Sequence, residues 1–333
     1  YNSENVYPGN FAKVEDPAVF RDFRIARVSI FPIRYSPSKK EIQAVSSITI
    51  KINYLPGPSI NPKTTPIKPI APSFDKIYRS SIFNYEEVLQ RRFAGMVTGY
   101  DFMLCILPDE FATSFQVYAD WKHKTGTYIH VTKFSEIGAS VNNPTAVREH
   151  ILSAYTTWEV PPTHVLLIGD KEIAPVKYIT YDYTFVYDDY FVELEGNDYF
   201  PELMIGRFTN QTDYRMQVMI NKFMNYEKIP YVQSTDWFKK GLVCANNAYA
   251  SQRETKRFTA TQMLGFGNFS SVDSMYNGYP CPGNVNDIIN MINEGRSFLN
   301  YRGEGWSTGW WADCIPFQTS DVSSINNGQK LTF

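Results

Sequence analysis

Glu304 stands between two glycines in the run Tyr301-Arg302-Gly303-Glu304-Gly305, directly after an apolar stretch that reads as a strand. A carboxylate there can take or donate a proton, and the flanking glycines let backbone and ligand approach closely. Trp306, Trp310 and Trp311 follow at once. Rings of that size either wall a pocket or pack beneath the loop. The thiols are Cys105, Cys244, Cys281 and Cys314, with no C-x-x-C spacing and too few for a disulfide framework. Cys105 and Cys244 lie inside apolar runs and read as buried small hydrophobes. Cys281 and Cys314 fall in loops, where they either pair or stay free. His123, His130, His150 and His164 lack metal-ligand spacing and read as surface or hydrogen-bonded core residues. Acids crowd the stretch from Asp182 to Glu202. A solvated acidic face is the plain reading; Asp188 and Asp198 are the candidates for oxygen ligation of Ca²⁺.

The elements that must position these groups come from a chain of 333 residues, long enough for two or three domains. Its 43% hydrophobic and 20% charged residues are ordinary for a globular protein. A formal net charge of -2 gives no electrostatic footprint for nucleic acid or an anionic membrane. No apolar run reaches the length of a membrane span. The chain starts at Tyr1 with no signal peptide, which reads as a processed or trimmed start.

Residues 1–55 read as a small β-rich domain. Ala26, Val28 and Ile30 alternate, and so do Ile42, Ile48, Ile50 and Ile52, the period of half-buried strands. Six prolines from Pro56 to Pro72 then mark an extended linker over 56–98. From residue 99 the rhythm is that of a doubly wound parallel α/β fold. Strands are expected at 102–107, 128–131, 165–168 and 203–205. Helices are expected after 110, after the Asn143-Pro144 cap and around Met216, Ile220 and Phe223. A second α/β unit over 233–333 has strands at 242–245 and 297–301 and helices at about 252–265 and 284–294. Its first counterpart covers 99–232.

Several phrases together resemble one family. HVLLIGDKEIAP (164–175), GNDYFPELMIGRF (196–208) and SFLNYRGEGWSTGWW (297–311) resemble segments of the gingipain family of caspase-like, clan CD cysteine peptidases. DFRIARVSIFPIRYSPSKKEIQAVSSITIKINY (22–54) resembles the C-terminal part of that family's prodomain. The resemblance implies caspase-like parallel-sheet α/β subdomains preceded by a small β domain, and a secreted or cell-surface bacterial protein. It further implies a Cys–His dyad, protein or peptide substrates, and a structural role for calcium.

The resemblance sets Glu304 where the family has its catalytic His, and the Gly305 N–H where it has an oxyanion donor. The exchange reverses an electrostatic sign. A carboxylate beside a thiol raises the thiol pKa, whereas an imidazolium lowers it. Asp321 to Lys330 resembles the loop before the family's nucleophile, which the pattern puts a few residues past Phe333. The loop Asn246-Asn247-Ala248-Tyr249 holds no acid where some members have one supporting the His. The 333 residues alone are therefore expected to be inactive, with their own C-terminal catalytic part as a partner. The alternative is a non-catalytic surface, adhesive or assembly module on a peptidase scaffold.

Overall fold

A computed structural model describes residues 4–53, 56–66, 68–92, 99–246, 249–276, 283–311 and 315–332. The chain divides into two compact units, Tyr1–Gln217 and Val218–Phe333.

The N-terminal part is built of short antiparallel ribbons. β1 (Ala12–Val14) pairs with β4 (Val28–Ile30), and β2 (Ala18–Phe20) with β3 (Phe23–Ile25). β5 (Ile33–Ser36) pairs with β6 (Glu41–Ala44). The alternation at Ile48, Ile50 and Ile52 does not become a strand, and Ile42, Ile50 and Ile52 are exposed. Alternation sets which way side chains point; a strand also needs a partner edge, and here none pairs with this stretch among the described residues.

The expected linker is extended only in its first half. Helices α1 (Pro72–Ser81) and α2 (Tyr85–Arg92) occupy the second. Pro72 enters at the first helical turn, where its missing N–H costs nothing. Asp75 and Arg79 pair one turn apart on the outer face. Phe74, Tyr78 and Tyr85 turn inward against Phe23, with ring centroids 4.8–5.6 Å apart for Tyr78 and Tyr85 on Phe23.

The first parallel sheet runs β12-β9-β7-β8. β7 (Phe102–Leu107) is followed by α3 (Ala112–Lys124) and β8 (Tyr128–Lys133). Then come α4 (Phe134–Ile137), α5 (Pro144–Thr157) and β9 (His164–Ile168). A hairpin of β10 (Tyr178–Thr180) and β11 (Thr184–Val186) precedes β12 (Met204–Phe208) and α6 (Asp213–Lys228). Leu104, Ile106, Val165 and Leu167 pack with Val147, Ile151 and Ala154 of α5. The alternate residues Cys105, Leu107, Leu166 and Ile168 are buried as well, so both sheet faces are covered, as the unbroken apolar runs required. Gly169 ends β9 at φ +118°, and a Cβ there would lie 2.7 Å from the Ala174 Cβ. Gly169→Ala is expected to destabilise the first unit by about 2 kcal/mol or more, read from urea unfolding.

The second sheet runs β14-β13-β15, all parallel. Its order is β13 (Lys240–Ala245), α7 (Ala250–Gly265), β14 (Ser271–Met275), α8 (Val285–Glu294) and β15 (Phe298–Arg302). Leu242 and Cys244 pack with Ile288 and Ile292 of α8 on one face. Val243 and Ala245 pack with Met263 of α7 on the other. A last hairpin joins β16 (Glu304–Trp306) to β17 (Gly309–Trp311).

Candidate functional site

In the second sheet the chain leaves central β13 for β14 on one side and then crosses to β15 on the other. The crevice at such a reversal, beyond the carboxyl ends of β13 and β15, is where parallel α/β sheets gather ligands. Asn246 follows β13 there, and Gly303 and Glu304 follow β15. The two ends are tied, because the Asn246 N–H donates to the Arg302 carbonyl at 2.9 Å.

Glu304 is exposed at the start of β16. The loop beneath it is braced. The Tyr301 ring stacks on Trp310 at 4.2 Å with only 4° between planes, and its hydroxyl donates to the Glu304 carbonyl at 3.0 Å. Gly303 has to be glycine, since a Cβ there would fall 2.0 Å from the Tyr301 hydroxyl and 3.0 Å from the Asn246 Cβ. Burial, then Cys244 and Glu304, push the Tyr301 phenol up to about 12, so it stays a donor at neutral pH. Opposite Gly305, Trp310 sends its N–H away from β16 to the Phe317 carbonyl at 2.8 Å. Gly305 and Trp310 are therefore a non-hydrogen-bonded pair, and the Gly305 N–H also points away from β17. The Trp alternatives separate by residue. Trp310 packs below the loop with Tyr301 and Phe317, while Trp306 is 54% exposed. The Trp311 side chain lies outside the described part.

Neither described thiol belongs to this loop's surface. Burial pushes Cys244 up to about 12, with Lys256 offsetting part of the rise, and burial also raises Cys105. Both are fully buried. Neither should react measurably with iodoacetamide at pH 8 in the folded protein, and both should react after denaturation; mass spectrometry reads the difference. Rapid native labelling of Cys244 would overturn its burial. Cys281, Cys314, Asn247 and Ala248 lie outside the described residues.

The calcium candidates do not meet. Both oxygens of Asp188 are held by the Arg207 guanidinium at 2.7 and 2.8 Å. Those of Asp198 accept the amides of Val19 at 2.9 Å and Phe200 at 3.0 Å. A carboxylate clamped by arginine fits a fixed ion pair, not a divalent cation. Among the described residues no three of His, Cys, Asp and Glu gather as metal ligands. The histidines are engaged: the Ile129 N–H donates to His123, His150 bonds Thr132, His164 bonds Thr163, and His130 abuts Trp158.

Sequence reasoning missed two supports of the site. Lys256, buried on α7, bonds the Asn300 side chain on β15. The Tyr301–Trp310 stack pairs residues on opposite sides of the hairpin. The only sequence signal for Lys256 was its four-residue step back from Ala260 on the core-facing side of α7.

The sequence pattern described as Peptidase family C25 matches residues 100–333, and that of Propeptide_C25 matches residues 1–93. Gingipain R2 of Porphyromonas gingivalis strain W83 is 25% identical over 340 residues, which is 100% of this chain and 44% of that protein. Lys-gingipain W83 of the same species is 22% identical over 96% of this chain and 18% of its own length. The chain thus spans less than half of these relatives. In fold it is similar to the crystal structure of the Arg-specific cysteine proteinase gingipain R, with a TM-score of 0.61 and 23% identity over 70% of this chain and 53% of that one. It is also similar to a complex of Porphyromonas gingivalis RgpB pro- and mature domains, with a TM-score of 0.58 and 24% identity over 69% of this chain and 54% of that one. No helix among the described residues is long and apolar enough to cross a membrane. With parallel sheets of the caspase-like kind and a match over 234 of 333 positions, the chain belongs to Peptidase family C25 and carries the family's propeptide at its N-terminal end.

Proposed function

We propose that this chain is the propeptide and most of the peptidase scaffold of a secreted or cell-surface, gingipain-like cysteine endopeptidase. In this reading Glu304 replaces the dyad His, the Gly305 N–H serves the oxyanion, and the nucleophile comes from sequence past Phe333. The 333 residues alone then hydrolyse no peptide. The observation that carries the reading is the braced Gly303-Glu304-Gly305 turn at the β13/β15 crevice, with Glu304 exposed and the Gly305 N–H directed off the hairpin. Substrates would be proteins or peptides.

A second reading is favoured by one feature. Glu304 brings no imidazole, and the neighbouring buried Asn246 brings no carboxylate, to complete a Cys–His proton relay. The scaffold would then serve surface, adhesive or assembly roles. The test is intact mass spectrometry of the full-length protein after a thiol-reactive peptidyl probe. Labelling at a cysteine just past Phe333, lost in Glu304→Ala, supports the peptidase. No labelling of a folded protein supports the second reading. Thiol-dependent hydrolysis by residues 1–333 alone would refute the first as stated.

A further inference from the structure

Residues 1–93 meet the first sheet along a polar seam that the proposed chemistry does not use. Arg21, 4% exposed, donates to the carbonyls of Pro162 at 2.9 Å and Glu202 at 2.8 Å. Glu195 grips the proline-rich segment. Its oxygens accept from Lys63 at 2.7 Å, from the amide and hydroxyl of Thr64 and from the amide and hydroxyl of Thr65 at 3.0 and 2.9 Å. Glu202 in turn fixes Glu195: its Oε2 accepts the amides of Leu194 at 2.7 Å and Glu195 at 3.0 Å. The Glu202 side chain is wholly buried, and its Oε1 has no hydrogen-bond partner. An ionised oxygen left so is penalised far more than a protonated carboxyl.

We propose that this seam is a proton-gated latch, closed while Glu202 is protonated and loosened as it ionises. Ionisation of Glu202 sets a second buried negative charge beside Glu195 and Asp198, behind the residues that hold Lys63, Thr64 and Thr65. Asp22, on the propeptide side, lies between Arg21 and the Tyr78 hydroxyl, which donates to it at 2.8 Å. Burial pushes Glu202 up to about 7 against its two amide donors, and burial raises Asp22 against Arg21. Both shifts are upward. The stabilisation from Glu202 is complete below the ordinary carboxylate range and is lost as pH rises through its folded value, about 7, and the Asp22 shift has the same sign.

The other titrating neighbours do not mimic this. In Glu195, burial is outweighed by Lys63, Thr64 and Thr65, which hold it at about 2, outside the window. Burial lowers His164 on β9 and Lys68, so both act with the opposite sign. Tyr155 and Tyr78 are raised by burial and stay neutral.

Hydrogen exchange of the whole chain, corrected for intrinsic rates, tests the latch at pH 5.5 and 8.5. Amide protection at Val19, Thr64 and Thr65 should fall at least about tenfold at the higher pH, with no fall at Val243 and Cys244 of β13 as internal reference. Glu202→Gln should remove most of the fall. Flat protection in the wild type overturns the proposal whatever the variant does. An equal fall in a folded Glu202→Gln protein overturns it too.

Discussion

Arg21→Met is expected to destabilise the first unit by about 3–5 kcal/mol in urea unfolding followed at Trp121 and Trp158. The reason is what the guanidinium leaves behind. Two buried carbonyls, of Pro162 and Glu202, lose their donor. Asp22 loses the cation 3.7 Å away. The Phe74 ring loses the charge held 4.6 Å from its centroid. Each unsatisfied carbonyl costs about 1–3 kcal/mol, and the stranded carboxylate adds to that. Methionine keeps length and bulk, so the loss isolates polar satisfaction from packing. A change under about 1 kcal/mol would mean that burying the cation cancels its bonds.

Glu304→His in the full-length protein is expected to speed labelling by a thiol-reactive peptidyl probe about 10²- to 10⁴-fold, the usual worth of a placed general base. The side chain at this position is exposed, so an imidazole enters without displacing neighbours. Its backbone is already braced by the Tyr301 hydroxyl and the Trp310 stack. The sign of the field also reverses, since an imidazolium draws a neighbouring thiol toward thiolate. An unchanged, negligible rate in a folded variant would place this crevice among binding surfaces.

Much of the scaffold was legible because parallel strands covered on both faces must be apolar throughout. Phe102–Leu107, His164–Ile168 and Lys240–Ala245 all formed where their runs stood. The Asn143-Pro144 cap was legible for a local reason, and the Asn143 side chain accepts the Ala146 amide. The N-terminal ribbons were harder. Ile48, Ile50 and Ile52 alternate as a strand does, yet pairing depends on an edge elsewhere in the chain. Pro72 looked like linker but opens a helix, because proline ends a helix and also begins one. At the crevice, the Gly-Glu-Gly run was visible in the sequence. The brace below it was not, since the Tyr301–Trp310 stack and the Lys256–Asn300 bond depend on tertiary neighbours. The Arg21–Glu202 bond, 181 residues apart, leaves no local trace.

That last separation has a consequence in time. Synthesis runs from the N-terminus at about 5–20 residues per second, so Arg21 exists for roughly 10–35 seconds before Glu202 has been added. Until then the four buried rings Phe23, Phe74, Tyr78 and Tyr85 can pack on one another, but Arg21 has no Glu202 carbonyl to donate to. The nascent chain therefore closes this seam late, after β7, β8 and β9 of the first sheet have been made. Co-translationally, the seam between the propeptide and the first sheet is completed only once a segment far down the chain has been made.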